Sequence, residues 1–220
     1  MKPQEKCEAG KYWVRFFAWS QDFSKMLTLI LGGARSGKSR LAQRVATTAS
    51  KTGEGANVTY VATYHAGNDP EMRERIARHR ASRPASWSTI EEPVELAATV
   101  EKASRDCGVI LVDCLTIWLS NLFWEHRERS ARHMEEVAQT EVNRIAALSQ
   151  RCDIVLVSNE VGSGVVPEHA LARAFRDTQG LVNQWAAEVA DEVILTVAGL
   201  PLYLKKHPAR KDPSTREHAQ

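Results

Sequence analysis

With 220 residues, 43% of them hydrophobic, the chain is long enough to cover one sizeable α/β core. Its formal charge of +2 is nearly balanced, which excludes a general electrostatic case for nucleic acid and makes any anion binding local. No run of about 18 apolar residues occurs, so no membrane insertion is expected.

Residues 1–25 include KCEAGKYWVRFFAWSQDFSK, an aromatic segment that Arg15 interrupts and that lacks the cleavage site of a signal peptide. They are set aside as an N-terminal extension of unknown role, and the organised sequence opens at Met26. The apolar run MLTLIL (26–31) predicts a strand, followed by glycine-rich sequence and then a helix with apolar spacing at Leu41, Val45 and Ala46. NVTYVAT (57–63) predicts a second strand, and Asp69 with Pro70 starts a helix that would carry His79. PVELAATVEKAS predicts a helix begun by Pro93. It leads into VILVD (109–113), an uninterrupted apolar run of the kind found in parallel strands buried on both faces.

Leu115, Trp118, Leu119 and Leu122 then recur at helical spacing, and a long helix is predicted from about residue 131 to 148. DIVLVS (153–158) predicts a fourth strand, the loop NEVGSGVVP follows, and a further helix runs from 168 to about 189. EVILTVAGLPLYLK, with Gly199 and Pro201, predicts a closing hairpin. The polar tail, residues 205–220, contains two prolines and is expected to be disordered. The whole predicts one P-loop NTPase-like α/β domain over residues 26–204, a mostly parallel sheet flanked by helices. Cys7, Cys107, Cys114 and Cys152 form no CxxC pair and no zinc spacing, and suit free thiols in a reducing, cytoplasmic setting.

Three stretches carry chemistry. GGARSGKS, made of Gly32, Gly33, Ala34, Arg35, Ser36, Gly37, Lys38 and Ser39, fits G-x-x-x-x-G-K-[ST] between a strand and a helix. There backbone N–H groups converge on phosphate oxygens, Lys38 reaches the terminal phosphates and the Ser39 hydroxyl suits Mg²⁺; the bland alternative is a glycine-rich turn with a surface lysine. Asp113 ends VILVD where a Mg²⁺-holding carboxylate stands in such folds, or it caps the next helix. SNEVGSGVVP follows the fourth strand at the carboxyl end, where open α/β sheets bind ligands. Its Gly162 and Gly164 allow close approach, and Asn159 and Glu160 can hydrogen-bond a substrate; alternatively it is a plain connection. Arg173, Arg176, Asp177 and Asn183 on the next helix suggest, by themselves, a solvated face. No guanine signature of the regulatory GTPases is present.

RIARHRASRP places His79 among arginines. Met72, Ile76 and His79 fall at i, i+4 and i+7, so the imidazole faces the protein body, as a core histidine would. Arg75 and Arg83, at i−4 and i+4, make a poor core but a good phosphate clamp. They disfavour imidazolium, whereas the nearby helix C-terminus favours it, and the sign stays open.

GGARSGKSR, VATY, RIARHRASRP with Trp87, VDCLTIWLSNL, SNEVGSGVVP and RAFRDTQGLVNQ resemble, in that order, the bifunctional adenosylcobinamide kinase and adenosylcobinamide-phosphate guanylyltransferase family of cobalamin synthesis. The resemblance covers nearly all of residues 26–204. It implies that residues 32–39 hold nucleotide phosphates, that Ala62, Thr63 and Tyr64 line the nucleotide site, and that His79 is the nucleophile that becomes guanylylated. Arg80, Ala81, Ser82, Arg83, Glu91 and Asp113 would contact the nucleotide. Arg78 stands where family members can carry another histidine. The implied substrates are adenosylcobinamide with GTP and ATP, the implied metal is Mg²⁺, and the implied assembly is a homotrimer. Two other readings of the same residues stand beside it: a single-function P-loop small-molecule kinase with a structural His79, and a non-catalytic nucleotide-binding module.

Overall fold

A computed structural model of the protein describes residues 25–52, 57–64, 74, 77, 80–81 and 83–206. Among the described residues seven strands form one sheet in the order β3-β2-β4-β5-β1-β6-β7. They are β1 (Leu27–Gly32), β2 (Val58–Ala62), β3 (Ser88–Glu91), β4 (Val109–Asp113), β5 (Asp153–Asn159), β6 (Glu192–Val197) and β7 (Leu200–Lys205). Every pairing is parallel except β6 with β7, the hairpin that closes the sheet. The helices whose bounds lie among the described residues are α1 (Lys38–Thr52), α2 (Leu96–Ala103), α3 (Leu115–Glu125), α4 (Ala131–Leu148) and α5 (Ala170–Val189).

Strand periodicity divides the core in two. In β1, Leu27, Leu29 and Leu31 point to one face, where they meet Leu96 of α2, Trp118 of α3, Ile145 of α4 and Val182 of α5. Ile30 points to the other, against Leu41 and Val45 of α1 and Tyr60 of β2. Both faces are covered, which is why β4 carries an uninterrupted apolar run and β1 one broken only by the buried Thr28, instead of alternation. Each fully buried Leu or Ile contributes roughly 1.5–3 kcal/mol. Helix α4 shows the usual local logic: the Ser130 hydroxyl accepts from His133 N at 3.2 Å as N-cap, and Met134, Ala138, Val142, Ile145 and Leu148 form the buried stripe.

The structure differs from the sequence expectation in several boundaries. Strand β3 has no apolar signature because it is an exposed edge, with the pattern STIE. Helix α2 starts at Leu96 and not at Pro93, because the Glu92 carboxylate takes the N–H groups of Val94 and Glu95 at 2.9 and 2.8 Å. Trp118 Nε1 meanwhile donates to Val94 O at 2.9 Å. Helix α5 starts at Ala170, since Arg173 Nη1 donates to the carbonyls of Pro167 and Glu168 and holds residues 167–168 outside the helix. Strand β7 runs through Lys205, whose ammonium donates to the α5 carbonyls of Ala187 and Glu188 at 3.4 and 2.9 Å. Of the helix expected from Asp69, Glu74, Ala77, Arg80 and Ala81 are helical; Asp69, Pro70, His79 and Ser82 lie outside the described residues. So do residues 1–24 and 207–220. Among the described residues no helix is long and apolar enough to cross a membrane, and Cys107, Cys114 and Cys152 carry free thiols.

Register sets the site. Gly32 lies opposite Asn159, and Ala62 lies opposite both Asp113 and Glu91, so the carboxyl ends of β1, β5, β4, β2 and β3 bring those residues to one edge of the sheet.

Candidate active site

At the end of β1 the chain turns at Gly32, φ +154°, and a Cβ there would lie 2.5 Å from Thr196 O and 2.6 Å from Ser36 Oγ. No side chain fits that approach. Gly37 adopts φ +98°, and its Cβ would press on Gly199 Cα at 3.2 Å. The loop between them leans on the β6–β7 turn, where Gly199 N donates to Ser36 O at 2.9 Å. Lys38 is buried and folds back over the loop, with Nζ donating to Gly33 O at 2.7 Å. Ser39, half-buried, follows in the first turn of α1, whose leading N–H groups have no intrahelical acceptor. Ser36 Oγ is buried with no hydrogen-bond partner among the described residues. The result is a glycine-rich turn at a helix N-terminus, a geometry suited to an anion.

Asp113 ends β4, and its Oδ2 accepts from the Tyr60 phenol at 2.8 Å. Burial raises the phenol far above its ordinary pKa, and the Asp113 charge adds to it, so Tyr60 remains a donor. The Arg83 guanidinium lies 3.4 Å from the centroid of the same ring. It also reaches Tyr64 OH and Thr89 Oγ1, each at 3.4 Å. Arg83 Nε is buried with no partner among the described residues. Thr63, fully buried, ties this corner together: its hydroxyl donates to Cys114 O and accepts from Cys114 N, both at 2.8 Å. Asn121 Nδ2 donates to Thr63 O at 2.7 Å. The neighbouring Cys114 thiol is pushed up to about 11 by burial and by Asp113, which leaves it a poor nucleophile.

Beyond Arg83 opens a cleft of about 570 Å³ lined by Arg80, Arg83, Pro84, Ala85, Trp87, Thr89 and Glu91. Arg80 pairs with Glu91 across it. That volume lies in the range of small-molecule sites, and an aromatic ring with two guanidiniums suits a base and its phosphates. Residues 32–39, Ala62 to Tyr64 and Asp113 therefore gather at the sheet edge, while Arg80, Arg83 and Glu91 gather in the adjoining cleft, with Tyr60 and Arg83 between the two groups. Ala81 is exposed and does not line the cleft.

The loop after β5 is anchored from below. Asn159 N donates to Thr116 Oγ1 at 2.8 Å, and Asn183 Nδ2 donates to Asn159 O at 3.0 Å. Ser158 Oγ and Gln179 Nε2 both donate to Asn183 Oδ1, at 2.6 and 3.0 Å. Asn183, grouped by sequence with a solvated face, is thus part of a buried polar network, while Arg176 and Asp177 pair with each other at the surface. Neither this network nor Tyr60, which sits in a strand pattern that looks like plain core, left a signal in the sequence. Thr89 was equally hidden in an edge strand without apolar alternation, whereas Trp87, just before that strand, was among the residues that carry the resemblance.

A glycine-rich cradle between a buried parallel strand and a helix, with a carboxylate two strands away, defines a P-loop nucleotide-binding α/β protein. A family model described as cobinamide kinase / cobinamide phosphate guanyltransferase matches residues 28–204, and the chain belongs to that family. It is 47% identical over 184 residues to the bifunctional adenosylcobalamin biosynthesis protein CobP of Pseudomonas aeruginosa, covering 83% of this chain and 99% of that one. It is 39% identical over 188 residues to the protein CobU of Escherichia coli, covering 82% and 100%. The CobU protein of Salmonella typhimurium is 40% identical over 190 residues. The chain is thus a bifunctional kinase and guanylyltransferase of adenosylcobalamin biosynthesis, and neither the single-function kinase nor the non-catalytic module is favoured.

Proposed function

We propose that both reactions run at the carboxyl edge of the sheet, with the triphosphate on residues 32–39 and a covalent guanylyl intermediate on His79. The observation that carries this reading is the continuity from Asp113 through Tyr60 to Arg83, which runs from the carboxyl edge of the sheet to the basic cleft lined by Arg80 and Arg83. In the first reaction the aminopropanol hydroxyl of adenosylcobinamide attacks the γ-phosphorus of ATP or GTP, and the nucleoside diphosphate leaves. In the second the neutral imidazole of His79 attacks the α-phosphorus of GTP and pyrophosphate leaves. The cobinamide phosphate then takes the GMP. Splitting the transfer at a covalent stage replaces one hard step by two easier ones.

Lys38 would draw charge from the leaving phosphates, a role that a buried ammonium beside the cradle is built for. Mg²⁺ fits the residues present: Asp113 keeps Oδ1 clear of the Tyr60 bond, and Ser39 offers a hydroxyl at the helix start. Among the described residues no group of three or more His, Cys, Asp or Glu forms a protein cage. Mg²⁺ is usually held by one or two protein oxygens and by substrate phosphates. Such an ion would neutralise charge on the phosphates. Residues 26–204 would form the catalytic domain of a cytoplasmic homotrimer, as the family resemblance implies.

The test is incubation with α-labelled GTP and Mg²⁺. Label should stay on the polypeptide through a phosphoramidate bond, which is lost in mild acid and survives mild base. His79→Ala should abolish labelling and GMP transfer while kinase turnover persists. Label mapped to another residue, or GMP transfer by the His79→Ala protein, would leave the histidine structural.

A further inference from the structure

The two reactions make different demands on a base. An alcohol must lose its proton as it attacks a γ-phosphorus, whereas a phosphate monoester is already anionic near neutrality, with a second pKa of about 6, and attacks without deprotonation. A general base is therefore needed by the kinase reaction and not by GMP transfer. Most carboxylates along the carboxyl edge are already engaged. Asp113 accepts from Tyr60, Glu91 pairs with Arg80, Glu92 caps the start of α2, and Asp177 pairs with Arg176.

Glu160 differs. Its carboxylate is exposed, and among the described residues it accepts only the Gly162 N–H, at 2.6 Å. Its backbone is fixed where the phosphate loop begins: Glu160 N donates to Gly32 O at 3.0 Å, one step beyond the Gly32–Asn159 register pair. Parallel strands stand about 4.8 Å apart, so a glutamate side chain rooted there is long enough to cross to the cradle on leaving the Gly162 N–H. The root is held because Thr116 takes the Asn159 N–H and Asn183 donates to the Asn159 carbonyl, fixing the peptides on both sides of that residue. Asn183 itself is held by Ser158 and Gln179, both without exposure to solvent. A fixed backbone under an exposed carboxylate gives a base that meets its substrate in one place.

We propose that Glu160 is the general base of the kinase reaction and that Asn183 is its positioning residue. This rests on the reading that the triphosphate lies on residues 32–39. The Glu160 carboxylate takes the hydroxyl proton as the alcohol oxygen bonds to the γ-phosphorus. The bond from that phosphorus to the β,γ-bridging oxygen breaks, and the nucleoside diphosphate leaves with its electron pair. The protonated Glu160 then returns its proton to solvent.

The experiment compares Glu160→Gln, Asn183→Ala and Lys38→Ala in two assays on the full chain. One follows phosphoryl transfer from γ-labelled ATP to cobinamide, and the other follows GMP transfer from GTP to cobinamide phosphate supplied ready-made. Glu160→Gln keeps the acceptor atom for Gly162 and should lower kinase kcat by roughly 10²–10⁴. Its nucleotide KM and its GMP transfer should stay within about threefold of the parent. The fall of the kinase rate at acid pH should vanish with the carboxylate. Asn183→Ala should lower kinase kcat and keep that acid fall, which separates a misplaced base from a missing one. A Glu160→Gln kinase within about threefold of the parent, or one whose GMP transfer falls equally, overturns the assignment. Lys38→Ala identifies which reading failed: if it too leaves the kinase intact, the phosphate cradle is misassigned, and if it alone is inactive, only Glu160 is.

Discussion

Replacing Gly32 by alanine tests whether the phosphate loop is shaped by strand β6 or only by its own sequence. The added Cβ would stand 2.5 Å from Thr196 O and 2.6 Å from Ser36 Oγ, on a backbone at φ +154°. The serine hydroxyl can rotate away, but the carbonyl cannot, because Thr196 lies in register with Gly32 across a parallel ladder. Backbone displacement and strain of this kind cost about 1–3 kcal/mol. If the loop absorbs the strain, nucleotide affinity should fall by roughly 5- to 150-fold. If the β1–β6 pairing absorbs it, Tm should drop by about 2–12 °C for a domain of this size. Titration calorimetry with a non-hydrolysable ATP analogue and a thermal scan read the two together. Gly180→Ala is the contrast, since its Cβ meets nothing within 4 Å in the middle of α5. It should stabilise by about 0.5–1 kcal/mol. A Gly32→Ala protein with the affinity and Tm of the parent would show that β6 does not shape the loop.

Lys38→Ala should lower both partial reactions at least about a hundredfold, the loss of roughly 3–4 kcal/mol of positioning and charge neutralisation. Kinase turnover near the parental rate would refute the cradle assignment. Cys107 should alkylate unusually fast near neutrality, because the Cys152 thiol hydrogen-bonds to it and holds its pKa at about 7 against the effect of burial. The thiolate is the reactive form, so the rate with iodoacetamide should rise through that pH and level off above it. Cys152→Ala removes the donor and should move the midpoint upward. An unchanged midpoint would mean that the two sulfurs do not interact.

The fold was legible where burial is simple. Strands β1, β4 and β5 are covered on both faces, and an uninterrupted apolar run has no other comfortable place in a domain of this kind. Helices α1 and α4 show one apolar stripe each, and periodicity finds such stripes. Strand β3 was invisible because an edge strand needs only backbone partners, and Ser88 to Glu91 offer no apolar alternation. The starts of α2 and α5 shifted because side chains, Glu92 and Arg173, claimed the backbone groups that helical turns would have used. Those contacts are chosen by tertiary geometry.

At the candidate site, the glycine-rich turn was legible because the G-x-x-x-x-G-K-[ST] pattern sets residue types at fixed spacing along the chain. Its supports were not, because they join residues far apart in sequence. Tyr60 and Asp113 are 53 positions apart, and Thr116 and Asn159 are 43. Sequence reading also misplaces a buried polar residue, since it groups Asn183 with a solvated helix face when Asn183, like Gln179 one turn before it, is buried. Burying amides and hydroxyls costs free energy unless each finds a partner. An apolar cluster at this point of α5 would have been the simpler way to pack it. The chain instead keeps Thr116, Ser158, Gln179 and Asn183 wired together under one residue, Asn159. Packing alone gives no reason for that expense, and an apolar core cannot aim a backbone. Four directed bonds can, and the backbone they aim leads directly into Glu160, beside the first glycine of the phosphate loop. The departure from simple patterning therefore marks the place where this fold needs position more than stability.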